Sequence, residues 1–510
     1  MGRGMESARG FYEILVPEYD AQPADSALSL AVSALASKTL SLWRGAANLQ
    51  ETEKIYTQAV GALRCSVATC SQRQGGKVAT ATLLAALALQ LYENLASIFG
   101  LRSAATRVHH DGAVSLLPFT NRDPNDDPTN NKVAAYVRRY ILHNEVSSAL
   151  RQKRPLRPHA YDLIASQEKD LVAAPDNPSS TLDLIGTSVA ELQASYISFL
   201  SDCRSVPPIQ NVTTRMKCAL QAEAQHLDAQ LVSWAQSVPA HWTPLKVAGQ
   251  DLDPSIVVNA FEETAEIYPS CQIGNVWNFW RCQRLILVKI ILALNSLKED
   301  QPDRLNAIIE YPADVVQCRH TLQGLVDSLC HSVPFYLGNR VNHSSMHDFT
   351  DPGIIFPTYP ASPSPPSSLP VNPGRNDHKR HLIAQGHWHI MSPLSCLLTL
   401  LSDDEDDGHS LAGALRPGQC DWIRGQFLRV STLLRLPTPS RPGGEGPTRS
   451  TSRVGGGMGQ YRGLGLEKTP APAPSPIWMS TGSNSEVDVN VKPEYLARRV
   501  RKAAVFLSGP

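Results

Sequence analysis

The chain has no Cys-x-x-Cys pair and no dense cysteine cluster: its ten cysteines stand at 65, 70, 203, 218, 271, 282, 318, 330, 396 and 420. That spacing excludes the close-set thiolates of a zinc-binding head, and in a chain this long it reads as scattered reduced thiols of an intracellular protein. Charge of neither sign is in surplus, with 47 Lys plus Arg against 47 Asp plus Glu, so the basic surface of a dedicated nucleic-acid binder is missing. The first 20 residues hold no apolar core of signal-peptide length, and entry into the secretory route is not expected. No Gly-x-Ser-x-Gly, His-Glu-x-x-His or Gly-x-Gly-x-x-Gly occurs. With no serine elbow, zinc-protease or dinucleotide signature, no enzyme is expected. The absence of any repeat of roughly 20 to 50 residues disfavours a regular solenoid.

What is present is helical periodicity over 510 residues, of which 42% are hydrophobic. The longest apolar helix candidate is 275–297, where Trp277, Trp280, Leu287, Ile291 and Leu294 recur at intervals of three, seven, four and three residues. Ile286, Val288, Ile290 and Leu292 occupy its other faces, which places it in the middle of a layered helical protein. Lys289 breaks the run short of the ~20 residues that cross a bilayer, and no membrane partner is expected. Further helices are predicted over 27–43, 48–70, 78–99, 132–152, 182–199, 212–238, 312–331, 381–401 and 419–434. Residues 10–23 read as a proline-bearing loop, and 153–182 as an irregular connector with one short helix. The expected fold is all-α, with negligible sheet.

Two stretches lack the composition for a core. Residues 351–376 are rich in Pro and Ser and read as a flexible insertion. From 437 to 510, Pro, Gly, Ser and Thr dominate, and the apolar content is too low to offset the entropy of ordering. This tail is expected to be mostly disordered, with a short helix over 493–507 and a basic end at Arg498, Arg499, Arg501 and Lys502.

Candidate chemistry has a plain structural explanation at each position. His378, His381, His387 and His389 fall within twelve residues, but spacings of three, six and two put them on different faces of a helix. The acidic run 403–407 lacks the glycine and interleaving of a calcium loop and reads as a solvated turn. Glycines 455, 456, 457 and 459 have no preceding strand and no following Gly-Lys-Ser/Thr, so they read as linker. Trp234, Trp242, Trp277 and Trp280 are expected to pack in the core, with their indole N–H groups finding partners. No catalytic, cofactor-binding, metal or DNA-binding residue is assigned, and no cofactor is expected.

Several motifs in one order carry a family resemblance. They are His109-x-x-Gly112-Ala113-x-x-Leu116-Leu117; Leu227-Asp228-x-x-Leu231-x-x-Trp234 leading into Val238-Pro239-x-x-Trp242; and Asn278-Phe279-Trp280-Arg281 followed by Arg284-Leu285. Ser332-Val333-Pro334-Phe335-x-Leu337-Gly338, Ser392-Pro393-Leu394 and Trp422-Ile423 follow. Together, over about 11–436, they resemble the fungal-specific transcription factor domain, the helical regulatory part of zinc-cluster regulators. At Ser392 the sequence departs from that family's tryptophan, and the six-cysteine zinc head is missing.

The resemblance implies one helical domain over 1–436, with the insertion 351–376, followed by the tail 437–510. It implies a nuclear regulator, with a cytoplasmic location as the alternative. Such a protein acts on a restricted gene set, such as a metabolic pathway, through contacts with other transcription regulators or coregulators or with a small-molecule effector. Sequence-specific DNA binding by the chain itself is not expected. Three readings stay open: a regulator without its own head, part of a complete zinc-cluster regulator whose head lies upstream, and a helical scaffold or enzyme without a recognisable motif.

Overall fold

The computed structural model describes residues 11–44, 49–72, 79–99, 106–120, 128–173, 178–205, 210–248, 251, 260–297, 313–358, 375–402 and 411–436, with 493 and 497. The described residues lie in one compact unit, Met1–Pro437 with Pro493–Pro510; the other unit, Thr438–Lys492, is outside them. The acidic run, the glycine cluster and the basic end of the tail also lie outside the described residues.

The fold is all-α. Its helices are α1 Phe11–Asp20, α2 Ala27–Arg44, α3 Leu49–Gln72, α4 Thr80–Ile98, α5 Val108–Leu116, α6 Pro128–Gln152, α7 Pro158–Ala173 and α8 Pro178–Ser205. They continue with α9 Gln210–Ser237, α10 Cys271–Ser296, α11 Ala313–Leu337, α12 Arg375–His381, α13 His387–Leu401 and α14 Gln419–Leu433. Between α9 and α10 a two-stranded antiparallel sheet, β1 Leu245–Ala248 and β2 Thr264–Ile267, pairs Leu245 with Ile267 and Ala248 with Thr264.

The apolar periodicity of α10 has the expected consequence: Leu285, Ile286, Leu287, Val288, Ile290 and Ile291 are all buried, on every face of the helix. It packs against α8, α9, α11 and α13, while α2, α3 and α4 form a second layer reached through α6. Helix α4 is long and apolar enough to cross a membrane by length and composition, yet 94% of that window is buried inside the fold. That is the position of a core helix.

The structure corrects several local readings. Residues 11–20 form a helix with Pro17 inside it, because Ile14 and Leu15 gain burial against the core. Helix α7 runs for 16 residues through the supposed connector. Helix α11 does not stop before Ser332 but continues through Pro334 to Leu337, burying Val333, Phe335 and Tyr336 completely. It ends at Gly338, whose φ of +54° suits glycine and whose missing side chain leaves room for the Ile355 carbonyl.

That contact also shortens the supposed insertion. Asn339 accepts from the Ile355 N–H at 3.0 Å and donates to the Gly353 carbonyl at 2.7 Å, and Phe356 is buried. Residues 351–358 are therefore held to the fold; 359–374 lie outside the described residues. In the tail, Pro493 and Ala497 are helical, within the short helix expected over 493–507, and Ala497 is buried with its carbonyl accepting from Ser395 at 2.9 Å.

A buried charge network ties the sheet to the central helices. The Arg281 guanidinium, only 2% exposed, donates to Glu266 at 2.5 Å, to the Tyr268 hydroxyl at 2.9 Å, to Asn278 at 2.7 Å and to Ser328 at 3.0 Å. Tyr268 and Ser328 in turn donate to the two Glu266 oxygens at 2.8 and 2.6 Å. Burial works against the charged guanidinium, but the Glu266 carboxylate and Tyr268 outweigh it and hold the Arg281 pKa above its ordinary value.

Candidate functional site

A cavity of about 460 Å³ opens between α1, α2, α4, the start of α13 and the end of α14. Its walls are mostly apolar, from Leu35, Trp43, Leu95, Phe99, Phe349 and Trp388 among others. The rings support one another: Trp43 stacks on Phe349 with centroids 5.5 Å apart, and Phe99 meets Trp388 edge-on at 6.5 Å. Volume and lining match those of small-molecule sites, which bury an apolar ligand and orient it with a few polar groups.

The polar groups here are few. His387 is fully buried, lines the cavity, and has no hydrogen-bond partner on either ring nitrogen among the described residues. Burial, then the nearby Arg340 and His389, drives its pKa far below the ordinary histidine value, so the ring is neutral and offers one N–H donor and one acceptor. Arg435, in a left-handed conformation at the end of α14 with φ of +54°, adds a cation to the lining. The cavity thus suits an apolar molecule that carries one hydrogen-bonding or anionic end.

The four histidines of 378–389 do not stay on separate faces. A π turn, Leu382–Gly386, lies between α12 and α13 and changes the angular spacing. It brings His381 and His389 to ring centroids 6.0 Å apart, and Cys271 joins them from the start of α10. The ligand atoms of the three lie within 4.8 Å of one another. His387 faces the cavity instead, and His378 packs beside Phe335 at 5.4 Å. Cys271 could not be singled out from sequence, since it stands far from the histidines along the chain.

The tryptophans behave as core residues. Trp277 donates to the Trp242 carbonyl at 2.7 Å, Trp280 to the Leu231 carbonyl at 2.7 Å and Trp234 to the Pro178 carbonyl at 2.8 Å. Trp234 and Trp277 meet edge-on at 5.5 Å. A side chain at Gly112 would meet nothing within 4 Å, so that glycine marks no close approach of helices.

One constellation suggests nucleophilic chemistry. His143 Nδ1 lies 2.7 Å from Asp183 on α8, and Ser147 Oγ lies 3.5 Å from His143 Nε2. The neighbouring cavity of about 40 Å³ has room for a water or two but not for an acyl or phosphoryl substrate. Ser147 also sits mid-helix on α6, where backbone N–H groups are committed to the helix and unable to stabilise an oxyanion. The group acts as a buried polar tie.

Comparison of the chain with family profiles, with characterised proteins and with solved structures finds no match. The resemblance stands on the motifs alone.

Proposed function

We propose that this chain is a regulator of transcription that acts through partners, switched by a small apolar molecule held in the cavity of about 460 Å³. The observation that carries this reading is a neutral, buried imidazole, His387, with no hydrogen-bond partner among the described residues, in the wall of a mostly apolar cavity of ligand size. The ordered motifs add the link to transcription: the chamber belongs to a helical domain whose sequence resembles the regulatory half of zinc-cluster proteins. Other regulators or coregulators are its partners, the nucleus its place of action, and duplex DNA is not read directly.

The binding half is tested with 1-anilinonaphthalene-8-sulfonate, an apolar fluorophore with one anionic end. Trp43 and Trp388 line the cavity, so occupancy is expected as energy transfer from tryptophan that saturates at one site. Ala36→Trp, on the exposed side of α2 at the cavity lining, should abolish it while leaving the fold intact. Saturation unaffected by that substitution would place the probe elsewhere. For the regulatory half, deletion of the gene should change a restricted set of transcripts, and an unchanged profile across varied conditions would refute it. A sequence-specific complex of this chain with duplex DNA would refute the reading that it acts through partners.

A further inference from the structure

Cys271, His381 and His389 converge from three places in the chain, and their possible ligand atoms, one thiol sulfur and two imidazole nitrogens, lie within 4.8 Å of one another. Cys271 is 2% exposed and His389 wholly buried, while His381 is half-buried.

The backbone around the cluster is shaped to make the convergence possible. Ser270 caps α10 by accepting from the Ile273 N–H at 3.2 Å, which fixes Cys271 as the first residue of that helix. One turn later, a side chain at Gly274 would run into the Tyr336 hydroxyl and the Tyr268 ring. On the other side, a side chain at Gly386 would run into the Tyr336 carbonyl. Both segments therefore close on Tyr336 through glycine, and that approach brings the start of α10 to the histidines. The His389 ring lies 6.0 Å from the Tyr336 ring.

The π turn supplies the register. In an unbroken α-helix, residues eight apart point about 80° away from each other. One π turn of about 4.4 residues plus one α turn of about 3.6 makes two full turns in eight residues, which returns His389 to the face of His381. Inserted π turns are rare and occur frequently at functional sites.

We infer that Cys271, His381 and His389 form a zinc site that pins the start of α10 to the segment between α12 and α13. One sulfur with two imidazoles is a borderline-soft donor set that suits zinc, whereas calcium and magnesium take oxygen ligands. Zinc bonds of about 2.0 to 2.3 Å set ligand atoms roughly 3.4 to 3.8 Å apart, so the side chains close by roughly 1 Å on binding. Binding releases the thiol proton to solvent and leaves both imidazoles neutral. His387 sits between the two histidines and lines the cavity, so the ion would also set one cavity wall. The inference does not depend on what the cavity binds.

The full chain, stripped with a chelator and given zinc, is expected to retain one zinc per chain after desalting. Absorption at the zinc edge should show one sulfur at about 2.3 Å with nitrogen at about 2.0 to 2.1 Å. Cobalt(II) in its place should give a near-ultraviolet thiolate-to-cobalt band. Cys271→Ser should remove the sulfur and the band, His381→Asn should weaken retention at least tenfold, and Cys65→Ser, at an exposed thiol, should change neither. Should a variant fail to fold, the wild-type absorption measurement decides alone. No retained zinc, a shell without sulfur, or retention unmoved by Cys271→Ser and His381→Asn would each overturn the assignment.

Discussion

Asp228 and Arg284 form a two-pronged ion pair, with Nε donating to Oδ1 at 2.7 Å and Nη2 to Oδ2 at 2.9 Å. The pair joins α9 to α10, and the same guanidinium lies 5.1 Å over the Trp280 ring. Both residues belong to motifs that carry the family resemblance, and the structure gives those motifs a joint mechanical role. They lock the central helix to its neighbour.

Because both side chains are partly exposed, the pair contributes less than a fully buried one. Asp228→Ala is expected to destabilise the fold by about 1 to 2 kcal/mol in urea unfolding. A double-mutant cycle with Arg284→Met should recover most of that as coupling. Additive single effects would contradict the direct role.

Glu266→Gln should cost more, about 3 to 5 kcal/mol, since it leaves the Arg281 charge buried without a counter-ion. Replacing both residues by methionine should be milder than Glu266→Gln alone. Denaturant midpoints of the two variants, in the reverse order, would count against this account.

Two motif glycines are expected to behave oppositely. Gly338→Ala forces a side chain into a left-handed backbone and towards the Ile355 carbonyl, and should lose about 2 kcal/mol or more. Protease cleavage within 351–358 should rise with it. Gly112→Ala meets nothing within 4 Å on a helix, so it should be neutral or gain up to about 1 kcal/mol. Thermal unfolding of the two variants checks both.

Acid should destabilise the fold earlier than its carboxylates alone would require. Burial lowers the pKa of His110 and His331 below the ordinary 6.5, despite neighbouring carboxylates that act the other way. The unfolded chain then binds more protons as pH falls through 6.5. The stability carried by these neutral rings is complete above that value and drains away towards their lowered folded values. Neither ring nitrogen of His331 has a hydrogen-bond partner among the described residues, so His331→Leu should hold stability at pH 7 and flatten the loss between pH 6.5 and 5, measured as urea midpoints. An unchanged slope would assign the acid sensitivity elsewhere.

The chain's periodicity by itself determined the all-α class, the buried position of 275–297 and the structural use of the tryptophans. Apolar spacing at 3.6 residues is a local property, and a helix clothed in Ile, Leu and Val on all sides has one stable place. Composition alone misjudged 351–358, since a few backbone bonds to Asn339 hold that segment whatever its residue types. Tertiary structure alone decided the rest. The π turn that aligns His381 with His389, the approach of Cys271 across more than a hundred residues, and the chamber around His387 depend on where glycines let helices close. Such approaches follow from packing between distant elements, which no window of neighbouring residues encodes.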